Sequence, residues 1–147
     1  KPVSNFMLSG SIIGMKGKKP VHITAKNLSA GTTYEAAVQS TNGYAFQIQT
    51  GNTPVNYLIT ASAEGYTTYK KTIYIGGDLA NISLQLFGGD VTADGMINII
   101  DIAPVIAVFG QTASTQTAIY DINDNGVIDI EDISDIIENI GKRNLVE

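Results

Sequence analysis

Apolar and polar residues alternate through the first 88 positions, after which the period changes. Runs rich in β-formers occupy 7–13, 21–27, 34–39, 44–50, 56–61, 67–75 and 81–87. Ala45-Phe46-Gln47-Ile48-Gln49 and Ile82-Ser83-Leu84-Gln85-Leu86 alternate strictly, as strands with one wet face do. Turn residues separate the runs, among them Asn42-Gly43, Gly51-Asn52, Glu64-Gly65 and Gly76-Gly77. Seven strands at this spacing predict a small, antiparallel all-β sandwich.

Past Gly88-Gly89, Asp/Asn/Gly loops precede segments of helical spacing. Ile130, Ile133, Ile136, Ile137 and Ile140 fall on one helical face, and Gly141 is a natural stop. The glycine pair predicts a boundary between a sandwich at 1–88 and a small α-helical module at 89–147. So short a connection favours modules in contact with each other over beads on a string.

Two segments of the second half align at an offset of 31 residues. Asp90, Thr92, Asp94, Asn98 and Asp101 in the first correspond to Asp121, Asn123, Asn125, Asp129 and Asp132 in the second. These are positions 1, 3, 5, 9 and 12 of a twelve-residue loop, with Gly95 and Gly126 at position 6. Short oxygen-bearing side chains in alternation around a tight turn suit Ca²⁺, which takes about six to eight oxygens. Met96 and Val127, at position 7, would supply backbone carbonyls. Ile97 and Ile128, at position 8, resemble the apolar residues that pair two such loops back to back. An isolated loop of this kind can also be an ordinary Asx turn, the less favoured reading; duplication with matched apolar positions strengthens the case for two Ca²⁺ ions. Position 12 is Asp instead of Glu, and no helix precedes either loop. A sensor that opens between two flanking helices is therefore disfavoured.

Charge sharpens the division. Residues 1–88 hold seven Lys/Arg and three Asp/Glu, whereas 89–147 hold two and eleven. Such an acidic half repels itself unless cations neutralise it, and it does not suit nucleic acid. No apolar run is long enough to span a bilayer, and the chain has no cysteine for disulfides or thiolate metal sites. The opening Lys-Pro-Val-Ser lacks a signal-peptide pattern, which suggests a processed chain or a fragment.

A duplicated calcium loop, each copy followed by a helix and together about 60 residues long, resembles a dockerin. The repeats are 89–110 and 119–141. The resemblance implies two EF-hand-like F-hand loops with the ligands named above, a cohesin partner, and a place in a bacterial cellulosome, extracellular and associated with the cell surface. Ile99-Ile100 and Ile130-Glu131, at loop positions 10 and 11, are more like type II dockerins, which attach scaffolding proteins to anchoring scaffoldins. Those often follow a β-sandwich X module, the place that residues 1–88 would take. Within them, 41–46 and 63–66 also look like surface-protein and carboxypeptidase-regulatory sandwiches of immunoglobulin-like build.

The first helical segment, about 102–109, is apolar nearly all round. It reads as either a small core or an interface; Ile99, Ile100, Val105, Val108 and rim Gln111 are the partner-binding candidates. Pro104 is tolerable only in a first turn, so the helix should begin at or just after Asp101. The unequal pairs Ile100/Glu131 and Ala107/Glu138 argue for one dominant docking orientation. His22 is the sole histidine, and no nucleophile elbow, phosphate loop or zinc pattern is present, so the chain is not read as an enzyme. The alternative to an adaptor is a calcium-stabilised carbohydrate-binding or structural module.

Overall fold

The computed structural model describes residues 5–147, so the opening tetrapeptide lies outside the described residues. Strands β1 (Met7–Ile13), β4 (Ala45–Gln49) and β7 (Leu79–Gln85) form one sheet in the order β4-β1-β7. Strands β2 (Val21–Asn27), β3 (Thr33–Val38), β5 (Val55–Ser62), β6 (Tyr69–Ile75) and the short β8 (Leu145–Val146) form the other, in the order β3-β2-β5-β6-β8. Period-two patterning puts Val21, Ile23 and Ala25 of β2 and Tyr57, Ile59 and Ala61 of β5 inside, against Leu8, Ile48 and Leu84 of the facing sheet. Fully burying such an aliphatic side chain contributes about 1.5–3 kcal/mol.

The sandwich is not wholly antiparallel, contrary to expectation. β1 runs parallel to β7, and β6 runs parallel to β8. Alternation says which face of a strand is wet, but nothing about the direction of its neighbour. The seven expected strands are all present, with ends displaced by at most two residues. The eighth comes from the acidic half of the chain.

Helices α1 (Ile102–Ala107) and α2 (Ile130–Glu138) follow the two Asp/Asn loops, and α1 is preceded by a 3₁₀ turn, Ile99–Asp101. The 3₁₀ turn and α2 each begin with a reciprocal cap. Asn98 accepts from the Ile100 amide while Asp101 accepts from the Asn98 amide; Asp129 and Asp132 repeat the arrangement around Glu131. Pro104 falls in the first turn of α1, where amide donors lack helical partners.

Gly88 and Gly89 are buried in the seam between the two halves. Gly89 donates to Gly65 O at 2.9 Å, and Asn139 Nδ2 donates to Gly88 O at 2.9 Å. Gly89 has φ +127°, and a Cβ there would lie 3.2 Å from both Ile97 and Ile136. Buried residues of both halves, from Leu8 to Ile136, form one core cluster. The modules are in contact, as expected.

Candidate metal loops and docking surface

The two loops have matching internal geometry. At position 1, Asp90 accepts from the amides of Asp94 (3.2 Å) and Gly95 (3.0 Å), and Asp121 accepts from Asn125 (3.3 Å) and Gly126 (2.9 Å). At position 12, Asp101 accepts from the Thr92 and Asn98 amides, and Asp132 from those of Ile122 and Asp129. Gly95 and Gly126 have φ near +90°, so only glycine makes the turn without strain. Position 4 repeats this, with Ala93 at φ +59° and Asp124 at +53°.

These carboxylates are withdrawn from water: Asp101 and Asp132 are 0% exposed, Asp121 3% and Asp90 4%. Oxygens of Asp90, Asp94 and Asp101 lie within 4.8 Å of one another. Burial is the main cause that pushes the Asp90 carboxyl up to about 6; the Gly95 and Asp94 amides oppose the rise, and the Asp94 and Asp101 carboxylates add to it. Asp132 is raised by burial too, against the lowering effect of three backbone amides. Converging, dehydrated, hard oxygen donors fit a divalent cation such as Ca²⁺, whose charge would relieve the penalty. Thr92 Oγ1 lies 2.8 Å from Asp101, within the same group. In the second loop Asn123 stands where the first has Thr92 and Asn125 where it has Asp94, and Asn125 Nδ2 donates to Asp129 at 3.1 Å. Met96 and Val127 sit at the turn with exposed side chains, 41% and 40%.

Position 8 does not pair the loops with each other. Ile97 exchanges hydrogen bonds with the segment after α2: Ile97 N donates to Lys142 O, and Gly141 N donates to Ile97 O, both at 2.9 Å. Ile128 does the same with the segment after α1, through Gln111 O (2.9 Å) and Gly110 N (2.7 Å). Each loop is therefore closed by the segment that follows the opposite helix. Both Ile side chains still lie in the core, 0% exposed.

Burial overturns part of the docking assignment. Val105 is fully buried and belongs to the core. Val108 is half-buried and packs against that core. Ile99 and Ile100 are 75% and 61% exposed, and Gln111 is exposed. Ile106 (59%) and Phe109 (52%) were missed, because an all-apolar segment has no polar face to orient it. The α2 stripe was also read too generously. Ile136 and Ile133 face inward, while Ile130, Ile137 and Ile140 are exposed. The 31-residue offset carried the signal: buried Val105 aligns with buried Ile136, and exposed Ile99, Ile106 and Phe109 align with exposed Ile130, Ile137 and Ile140. Glu138, set against Ala107 above, pairs with Lys16 of the sandwich at 2.9 Å. Elsewhere, His22 pairs with Glu35 at 3.1 Å on the exposed face of the β2–β3 ladder.

Comparison with known proteins agrees with this organisation. Residues 88–141 match the Dockerin type I domain family. Cellulosomal-scaffolding protein B of Acetivibrio thermocellus is 31% identical across 71% of this chain, which spans 14% of that protein. Cellulosomal-scaffolding protein A of the same organism is also 31% identical across 71% of the chain, which spans 6% of it. The fold is similar to two crystal structures of type II cohesin–X-dockerin complexes from Acetivibrio cellulolyticus. One carries an N-terminal interface mutant (TM-score 0.69, 21% identity) and the other a C-terminal interface mutant (0.68, 22%), with 94% of this chain and 97% of the other covered in both cases. Residues 88–141 thus match the dockerin family and follow a β-sandwich, in a fold similar to that of the cohesin–X-dockerin structures.

Proposed function

We propose that this chain is a calcium-dependent adaptor whose dockerin binds a cohesin and so assembles or surface-anchors a cellulosome. One observation carries the reading. The outer sides of α1 and α2 expose matched apolar side chains (Ile99, Ile106 and Phe109; Ile130, Ile137 and Ile140), an amount of bare apolar surface that a small domain normally covers. Each loop would hold one Ca²⁺. The ligands would be the side chains of Asp90, Thr92, Asp94, Asn98 and Asp101 in one and Asp121, Asn123, Asn125, Asp129 and Asp132 in the other, with the Met96 and Val127 carbonyls. The metal supplies charge and a fixed loop; the protein's own contribution is the apolar face held beside it.

A type II-like cohesin is the partner we favour. The matched family is the type I domain, but the similar solved complexes are described as type II, and Ile99-Ile100 and Ile130-Glu131 suit a greasy interface. Ile100/Glu131 remains the inequality that favours one orientation, since Glu138 is occupied by Lys16. The module boundary falls at 88/89, the chain has no catalytic role, and it works outside the cell, attached to the bacterial surface. Calorimetry against type I and type II cohesins, with calcium and with EDTA, tests this. Tight binding that chelation abolishes is expected. Failure to bind any cohesin, together with measurable polysaccharide affinity, overturns it.

A further inference from the structure

The two metal loops are near copies of each other internally but are held from outside by different residues. The sandwich segment Gly17–Lys18–Lys19 lies directly on the second loop. Lys19 is 8% exposed, and its ammonium donates to Asp121 O and to Asp124 Oδ1, each at 2.7 Å. The Lys18 amide donates to the other oxygen of Asp124 at 2.6 Å, and the Tyr66 hydroxyl donates to Ile122 O at 3.1 Å. Gly17 fits so closely that a Cβ would stand 2.1 Å from Asp124. Loop positions 1, 2 and 4 are thus gripped by groups outside the loop, and Asp124 is held in a left-handed conformation that is uncommon for residues other than glycine. The first loop has Ala93 at this position, with nothing to grip.

The first loop is held through Asn144 instead. Its amide donates to Gly95 O at 2.9 Å, its side-chain oxygen accepts from the Thr68 amide at 2.7 Å, and its side chain closes the space beside Gly95. The symmetry-related residue, Ala113, makes the backbone bond to Gly126 O (2.9 Å) but has no side chain with which to reach further. Beyond Asn144, β8 joins the edge of β6, with Leu145 N donating to Thr68 O at 3.0 Å and Glu147 N to Lys70 O at 2.8 Å. The Tyr69 hydroxyl also donates to the Glu147 carboxylate.

We infer that the sandwich positions both metal loops, Lys19 holding the second and Asn144 the first, so that the affinity of each site is set by a different residue outside it. The inference rests on the calcium reading above. Holding a loop in its bound shape removes an ordering cost from the binding step. Lys19 gives the sharper test, because charge and positioning predict opposite signs. Coulomb repulsion alone predicts that deleting an ammonium beside a cation site tightens binding. Positioning predicts that it weakens binding.

The experiment is a calcium titration of the full chain by calorimetry, with the Gly95 and Gly126 amides followed by NMR as reporters of the two sites. Lys19→Met should weaken the Gly126 site about tenfold and leave the Gly95 site unchanged, and Asn144→Ala should do the reverse. Tighter binding at the Gly126 site in Lys19→Met, or equal losses at both sites in both variants, overturns the inference while leaving the calcium reading intact. An unaltered chain that takes up no calcium overturns both.

Discussion

Asp121→Ala separates the metal's contribution to stability from that of the loop's own hydrogen bonds. Without calcium, the substitution leaves the Gly126 amide without its acceptor and takes one of two acceptors from the Asn125 amide, at a cost of about 1–3 kcal/mol. It also removes a carboxylate that is 3% exposed, which offsets part of that cost. In EDTA the variant should therefore lie within about 2 kcal/mol of the unaltered chain. Calcium widens the gap. An ion that binds only the folded state contributes about 4 kcal/mol per site at a thousand times its dissociation constant. Two sites give the unaltered chain about 8 kcal/mol, and the variant keeps about half of it.

Urea unfolding followed by helical circular dichroism measures both gaps, with each protein melted in EDTA and in saturating calcium. The informative quantity is the stabilisation by calcium, variant against unaltered, because denatured-state effects largely cancel in it. A variant that gains as much from calcium as the unaltered chain would refute the assignment of Asp121 as a ligand. An unaltered chain with the same stability in EDTA and in calcium would refute the metal reading as a whole.

Three further outcomes are expected. Ile106→Asp and Ile137→Asp, on exposed apolar positions, should each weaken cohesin binding by tenfold or more in calorimetry while leaving the melting temperature nearly unchanged. Val105→Ala should do the opposite, costing about 1–3 kcal/mol in urea unfolding because it opens a cavity, with little change in the affinity of the folded fraction. In EDTA, the Asp90 carboxyl should make the folded state weaken as pH rises. Its folded value of about 6 lies above the usual 3.8, so its contribution is fully present below about pH 4 and lost above about pH 6, at most about 3 kcal/mol. Comparing Asp90→Asn with the unaltered chain by urea unfolding across that range isolates the effect, and equal slopes would contradict it.

The strands were legible because one wet face imposes strict alternation, as in Ala45–Gln49 and the Ile82-Ser83-Leu84 run. The parallel pairing of β1 with β7 was not, since the same alternation serves either direction. β8 was invisible for another reason: at two residues it has no period, and it is a strand only because the β6 edge is there to receive it. The loop residues could be read from their chemistry and their repeat. Which side of α1 is buried could not be read from α1, where every candidate is apolar, and aligning it with α2 would have supplied the answer. Lys19, Asp124 and Asn144 gave no local signal at all. Their partners lie 105 residues away for Lys19 and 76 for Asn144, and only folding brings them together.

The crossed pairing of the loops ties the two ends of the acidic half to each other. The first loop is closed by 141–144 and the second by 110–113, so neither repeat is complete alone. Such an arrangement is nearly symmetric, and a symmetric module could sit on the sandwich in either of two ways. Position 4 removes the choice. Turned around, the module would offer Ala93 to Lys19, leaving a buried ammonium without its carboxylate, at a cost of about 3–5 kcal/mol. The side facing the sandwich is therefore where the repeats have diverged (Asp124 against Ala93, Glu138 against Ala107). The outer side keeps its matched apolar residues at Ile99 and Ile130, Ile106 and Ile137, Phe109 and Ile140, with Ile100 against Glu131 the exception. Divergence where the sandwich grips, with likeness where the surface is bare, is what would follow if the inner face serves to fix one orientation and the outer face serves a partner.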